Sequence, residues 1–225
     1  MEPYDYQTFR IIYEVTSAIL YFILLRFMLK PYQLTRETRY LGLPLGFGFL
    51  GVTSALAAFF FYQPFLLGRG TMYVQLVLRT FAFIFLITTY YFSRKNTNNK
   101  SLWNATLVIL IVACLTLFLL VIIPDIALPS YQAASMCTRI INLTLIAYIC
   151  AHTLRSHIKA PDPETVWTPL GFLLLGISQY SLIVWALDES YSAFFGALAI
   201  RWAGLAIFLA VAIRSFYSVK KEGDK

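Results

Sequence analysis

Six stretches of this chain, residues 9–29, 41–61, 72–92, 102–123, 167–187 and 191–213, are apolar over the length of a membrane crossing. A helix needs about 20 such residues to cross ~30 Å of hydrocarbon. A seventh stretch lies between 131 and 158. Backbone inside a bilayer must satisfy its own hydrogen bonds, so each run is predicted to be a helix. Together they use most of the 225 residues and leave no room for a second, water-soluble domain. Only 13% of the residues are charged, against about 25% in soluble domains. The predicted fold class is all-α: a polytopic integral membrane protein with a single seven-helix domain over 1–217 and a short basic tail at 218–225. Its expected location is the cell membrane, with the lipid bilayer as its first partner.

The net charge of +7 is a topology signal. Lys30, Arg36, Arg39, Arg94, Lys95, Lys100, Arg155, Lys159, Lys220, Lys221 and Lys225 all fall in segments 30–40, 93–101, 152–166 and 216–225. The alternate segments 1–8, 62–71, 124–131 and 188–190 hold one cation, Arg69, beside Glu2, Asp5, Asp125, Asp188 and Glu189. Short loops keep Lys and Arg on the cytoplasmic side, which predicts the N-terminus outside and the C-terminus inside. That alternation requires an odd number of spans. Tyr62, Tyr73, Tyr131, Trp185 and Tyr191 fall at outer ends, and Tyr40, Tyr90, Tyr91, Trp103 and Trp167 at inner ends, where amphipathic rings favour the interface. The cations have no nucleic-acid arrangement, and no nucleic-acid partner is expected. The start MEPYDYQTFR is acidic and lacks the positive region of a cleaved signal, so the first span is expected to remain as a helix. Cys114, Cys137 and Cys150 lie in apolar runs and read as small buried hydrophobes, not as a disulfide framework.

The chain repeats itself. Arg10-Ile11-Ile12 recurs as Arg139-Ile140-Ile141, with Leu25-Arg26 matching Leu154-Arg155 and Lys30 matching Lys159 at the same offset of 129. Glu37-Thr38 matches Glu164-Thr165, and Pro44-Leu45-Gly46-Phe47 with Leu50-Gly51 matches Pro169-Leu170-Gly171-Phe172 with Leu175-Gly176. Arg79 matches Arg201, each followed by Ile-Phe-Leu. Chance similarity between Leu-rich helices is the alternative, but proline and glycine do not interchange with generic apolar residues. Repeat A (9–92) and repeat B (131–217) are therefore expected to be parallel three-helix units, with the helix at 102–123 as the reversing connector. Pro44 and Pro169 read as helix starts, which also suit hinges. The glycines after them read as close packing. By alignment with Arg10, Arg139 is expected at the outer interface, snorkelling to water, with its helix running from about 139 to 158.

Arg79 and Arg201 resist an interfacial reading, because each lies about six residues, or ~9 Å, inside its predicted outer boundary. A charge at such depth faces the bundle interior and is paired or solvated. Glu14 has comparable depth. Gln75 precedes Arg79 by four residues and shares its helix face, while Gln179 and Tyr180 lie about eight residues below the end of their span, near Ser178. Asn142 is a further polar residue of the fifth span. The candidate ligand-binding set is Arg79, Arg201, Glu14, Gln75, Gln179 and Tyr180, lining an outward-facing polar cavity. Two guanidinium groups and one carboxylate leave one positive charge, which favours a small anionic or strongly hydrogen-bonding solute. The structural alternative pairs Glu14 with one arginine and lets the other snorkel or hold a lipid phosphate.

Enzyme chemistry lacks residues. His152 and His157 are five apart and do not share a helix face for a metal. Gly176-Ile177-Ser178-Gln179 lacks the second glycine and the histidine base of a serine nucleophile site, and there is no phosphate-binding or dinucleotide motif. No catalytic residue, metal or cofactor is expected.

Seven helices, an outside N-terminus, short loops and a 3+1+3 duplication together resemble the SWEET and PQ-loop transporters, and more distantly the microbial rhodopsins. The resemblance is one of architecture over nearly the whole chain. The helix starts at Leu43-Pro44 and Pro169 are similar to SWEET prolines that begin corresponding helices. The Pro-Gln pair of PQ-loop proteins is missing, and Gln63-Pro64 is reversed and in the wrong loop. The last helix has no lysine for a retinal Schiff base, and Arg201 cannot form one. The resemblance implies a small-solute carrier. Two other readings stay open: a non-catalytic accessory subunit whose intramembrane charges meet a membrane protein partner, and a seven-helix sensor acting through a separate output protein.

Overall fold

Each of the seven apolar runs forms one helix in the computed structural model, which describes residues 3–63, 69–94, 100–123, 128–159 and 166–223. They are α1 (Pro3–Thr35), α2 (Gly42–Tyr62), α3 (Arg69–Arg94), α4 (Lys100–Ile122), α5 (Tyr131–Lys159), α6 (Trp167–Asp188) and α7 (Tyr191–Gly223), with a short 3-10 helix at Thr38–Leu41 before α2. All seven are long and apolar enough to cross a membrane, as a multi-pass membrane protein requires. Among the described residues there is no strand. Glu2, Pro64, Lys95, Asp125, Glu164, Thr165 and Lys225, all used in reading the sequence, lie outside the described residues.

Local chemistry sets the helix ends. The Ser130 Oγ accepts from the Ala133 N–H at 3.4 Å, and the Ala134 N–H donates to the Ser130 carbonyl at 3.0 Å, so Ser130 caps α5. The helix therefore starts at Tyr131, two turns before the start expected near 139. Pro44 and Pro169 fall in the first turns of α2 and α6, where a backbone N–H has no intrahelical acceptor to lose. α6 ends on Glu189 in the left-handed region, with φ of 53° and its N–H on the Trp185 carbonyl at 2.8 Å. A glutamate there carries Cβ strain that glycine does not. Glu189 is exposed, so Glu189→Gly is expected to raise stability by about 0.5–1 kcal/mol, after the extra unfolded-chain entropy of glycine is subtracted. A thermal melt in detergent checks this.

Consecutive helices run in opposite directions, which the cross-contacts show. Gln7 at the start of α1 donates to the Phe61 carbonyl at the end of α2, and the Tyr73 hydroxyl at the start of α3 donates to the Pro129 carbonyl just before α5. One end of the bundle, here the N-face, thus carries the starts of α1, α3, α5 and α7. Six helices pack in a closed ring, α1–α2–α3–α5–α6–α7 and back to α1, while α4 stands outside and packs on α3 and the 3-10 helix. The Thr38 hydroxyl donates to Asn104 Oδ1 at 2.6 Å to tie α4 there. Cys114 of α4 is buried against Leu78, Phe81 and Phe85 of α3, whereas Cys137 is exposed and Cys150 donates to the Pro169 carbonyl. Two residues expected in the aromatic belt are instead packed inside. Trp103 is buried edge-on to Phe92, and Tyr90 meets the Phe172 ring edge-on.

The main core fills the half of the ring away from the N-face. It contains Tyr21 and Leu24 of α1, Phe47 and Leu50 of α2, Phe83 and Leu86 of α3, Ile146 and Ile149 of α5, Phe172 and Leu175 of α6, and Leu205 and Phe208 of α7. Phe208 is in edge contact with both Phe47 and Phe172, at 5.7 and 4.8 Å. Burying these side chains contributes about 1.5–3 kcal/mol each in soluble proteins. In a bilayer the gain comes from packing, because lipid tails are equally apolar. Close glycine approaches set two of the ring contacts. A Cβ on Gly46 of α2 would sit 2.6 Å from Leu86 Cγ and 3.0 Å from the Ala82 carbonyl oxygen of α3. On Gly171 of α6 it would sit 2.8 Å from Phe208 of α7, and on Gly204 of α7 3.2 Å from the Gly171 carbonyl oxygen.

Candidate functional site

A layer of polar side chains lies between that core and the N-face. With ~1.5 Å of rise per residue, Glu14, Arg79, Arg139, Asn142, Gln179 and Arg201 all fall about 12–17 Å below the N-face ends of their helices. Ser54 of α2, also buried, lies at the same depth. Every helix of the ring thus contributes a polar group at one level, while the core side chains begin at about 18 Å.

Helical spacing fixes the direction of each group. Arg79 shares its face of α3 with Ala82, Phe83 and Leu86, three to seven residues on and all buried in the central core, so the guanidinium points into the ring. Arg201 stands in the same relation to Leu205 and Phe208 of α7 and is only 4% exposed. Glu14 shares its face with Tyr21 and is 7% exposed, and Gln179 shares its face with Phe172 and Leu175 and is 4% exposed. Tyr180, adjacent to Gln179, turns the opposite way and is 58% exposed. It stands apart from the other five. Gln75 is half-buried one turn nearer the N-face than Arg79.

Within this layer Arg201 Nη1 lies 3.8 Å from Glu14 Oε1, and its guanidinium carbon lies 5.5 Å from the centroid of the Tyr13 ring. Tyr13 in turn stacks on Trp202 at 5.1 Å, and the Trp202 indole donates to the Ser17 hydroxyl at 3.1 Å. These contacts join α1 to α7. On the neighbouring pair, Ser178 of α6 donates to the Ala197 carbonyl of α7 at 2.8 Å. Arg79 lies within electrostatic range of Arg201, Glu14, Tyr21 and Tyr131. It is half-buried. Arg79 and Arg201 repel one another, so a counter-charge in this layer is stabilising.

Arg139 lies inside α5 rather than at the helix start expected near 139. The longer α5 puts it eight residues, ~12 Å, beyond the start of the helix. There its Nη1 donates to the Leu182 carbonyl, and the guanidinium carbon is 5.7 Å from the Trp185 ring centroid of α6. Arg10 lies 3.9 Å above the Phe61 ring and 5.5 Å from Phe194. Arg139 is within electrostatic range of Arg79, Arg201 and Arg10. Asn142 also belongs to the layer, buried one turn after Arg139. The i, i+3 spacing of Arg139 and Asn142 was a signal that sequence reasoning passed over; Ser54 gave none.

Buried acceptors accompany these donors. Glu14 Oε2, Asn142 Oδ1 and Gln179 Oε1 have no hydrogen-bond partner among the described residues, a condition that costs about 1–3 kcal/mol for each neutral group. No group of three or more His, Cys, Asp or Glu side chains placed to hold a metal occurs among the described residues.

Comparison with protein-family models, curated proteins and solved structures finds no match to this chain. A functional reading therefore rests on the chemistry of the residues themselves.

Proposed function

We propose that this protein is a small-solute carrier with duplicated three-helix halves, binding an anionic or strongly polar solute in the layer around Arg79 and Arg201. The observation that carries the reading is the inward-directed Arg79 in a ring where each helix supplies a polar group above an apolar plug. A polar layer between two repeats is where carriers with parallel halves hold their solutes.

The ring order supports the duplication. Exchanging α1 with α5, α2 with α6 and α3 with α7 maps every contact of the ring onto another, and leaves α4 outside. The glycine contacts obey the same exchange. Gly46 meets Leu86 and Ala82, and the aligned Gly171 meets Phe208 and Gly204; Leu86 to Phe208 and Ala82 to Gly204 are each 122 residues, the offset from Arg79 to Arg201. The placement of the cations supports an N-face that is extracellular. The likeness to SWEET and PQ-loop carriers is one of architecture and lends support to the transport class, not to a substrate.

The test is counterflow in proteoliposomes of uncharged lipid, with a panel of labelled anions and neutral polar solutes. Exchange of at least one solute above protein-free vesicles is expected. Silence across the panel, together with co-purification of another membrane protein at fixed stoichiometry, would replace the carrier by an accessory subunit.

A further inference from the structure

We propose that the interior layer takes a compact, doubly charged oxyanion that carries a proton of its own, with hydrogen phosphate as the simplest member, and that Arg139 is the third cation of the site. This rests on the carrier reading only for the accessibility of the layer; the charge and hydrogen-bond arguments are separate.

Arg79, Arg139 and Arg201 come from α3, α5 and α7 at one depth, and each lies within electrostatic range of the other two. Glu14 is the one carboxylate at that level among the described residues. Three guanidinium groups against one carboxylate leave two positive charges, the complement of a dianion rather than of chloride or acetate. Arg10 adds to the field from nearer the N-face and is not needed for this balance.

The partners of these cations leave them able to bind. Arg139 faces the Trp185 ring and Arg201 the Tyr13 ring. Aromatic faces hold a guanidinium without neutralising it. A guanidinium has five N–H donors, and the contact to the Leu182 carbonyl and that to Glu14 engage one nitrogen each. The planar fork matches oxyanion geometry.

The acceptors decide between anions. Glu14 Oε2, Asn142 Oδ1 and Gln179 Oε1, on side chains at least nine-tenths buried, lie without partners at the same depth. Sulfate presents only acceptors and would set an oxygen against them. Hydrogen phosphate offers an O–H that one of these oxygens accepts while it keeps its double charge. A phosphatidic acid headgroup retaining one proton offers the same O–H with a single negative charge.

The full chain in an uncharged detergent is titrated calorimetrically with inorganic phosphate, sulfate and acetate. A parallel arm measures melting temperature in phosphatidylcholine nanodiscs with and without phosphatidic acid. Phosphate is expected to bind at least about 10-fold more tightly than sulfate, the ratio that one charge-assisted hydrogen bond supplies. Arg139→Gln should weaken phosphate about 10-fold or more, with Arg139→Lys recovering part of the loss. Glu14→Gln, which substitutes a donor for an acceptor oxygen, should narrow the phosphate-to-sulfate ratio. That ratio remains a test if Arg139→Gln does not fold. Stabilisation by phosphatidic acid but not by free phosphate, dependent on Arg139, makes a lipid the source of the same group. Equal affinity for sulfate and phosphate overturns the proposal. So does an Arg139→Gln protein that binds phosphate normally; if Arg79→Gln and Arg201→Gln nonetheless lose anion exchange, the carrier survives without it. Counterflow of a neutral solute with no anion bound has the same consequence, and failure of both assays ends both readings.

Discussion

Arg79→Ala is expected to reduce solute counterflow at least about 100-fold while leaving expression and melting temperature near those of the parent. A charge-assisted hydrogen bond contributes ~1.5–3 kcal/mol to a bound anion, and a guanidinium that makes two of them accounts for the larger loss. Stability should change little, because Arg79 has no ion pair among the described residues and its removal relieves its repulsion with Arg201. Arg201→Ala is expected to abolish counterflow as well, but with a different stability profile. It leaves Glu14, 7% exposed, without the cation at 3.8 Å, and breaking a buried pair from one side costs about 3–5 kcal/mol. The double variant Arg201→Ala/Glu14→Gln should regain most of that stability and none of the transport. The contrast separates a structural ion pair from a solute site, since the structural account predicts full recovery of both. Counterflow at parental rate in a well-folded Arg79→Ala protein would remove the solute-binding role from this layer.

The bilayer is why so much of the fold could be read in the sequence. A solvent that cannot hydrogen-bond forces each apolar run into one helix, so α2, α4, α6 and the membrane-crossing part of α7 fall within two residues of the runs at 41–61, 102–123, 167–187 and 191–213. The same solvent hides which face of a helix is buried. Polarity decides the inward face in water, but here lipid and core are equally apolar, and only polar residues betray the interior. Arg79, Arg201, Glu14 and Gln179 were legible for that reason. Tyr180 was not, because a tyrosine satisfies either environment, and its neighbour Gln179 gave no guide to a face turned by 100°. Arg139 and Arg10 both read as starting their spans, but α1 begins seven residues before Arg10 and α5 eight before Arg139, because polar first turns, capped at α5 by Ser130, extend a helix beyond the apolar run that marks it in sequence. The stacking of Tyr13 on Trp202 is a contact between the first and last helices, and no local pattern specifies it.

The two glycines of the repeated Pro-Leu-Gly-Phe segment should be equally intolerant of a side chain. A Cβ at Gly46 would meet Leu86 Cγ at 2.6 Å and the Ala82 carbonyl oxygen at 3.0 Å, and at Gly171 it would meet the Phe208 ring at 2.8 Å. The backbone carbonyl cannot move aside by changing rotamer, and Phe208 is held between Phe47 and Phe172. Gly46→Val and Gly171→Val are each expected to cost about 2–3 kcal/mol, the range of overpacking in tight cores. They lie in different helix pairs, so the losses should nearly add, and the combined ~5 kcal/mol approaches the whole net stability of many domains. The double variant should therefore fail to give a monodisperse species in detergent. Gly196 provides the control, since a Cβ there meets nothing within 4 Å; Gly196→Ala should be neutral or gain up to about 1 kcal/mol from helix propensity. The comparison reaches beyond packing. If α2–α3 and α6–α7 are two copies of one unit, their close approaches were inherited together and should fail by similar amounts at either site. A Gly171→Val protein as stable as its parent, beside a Gly46→Val protein that does not fold, would mean that the two contacts are unrelated, and the exchange of halves on which the carrier reading depends would lose its strongest structural support.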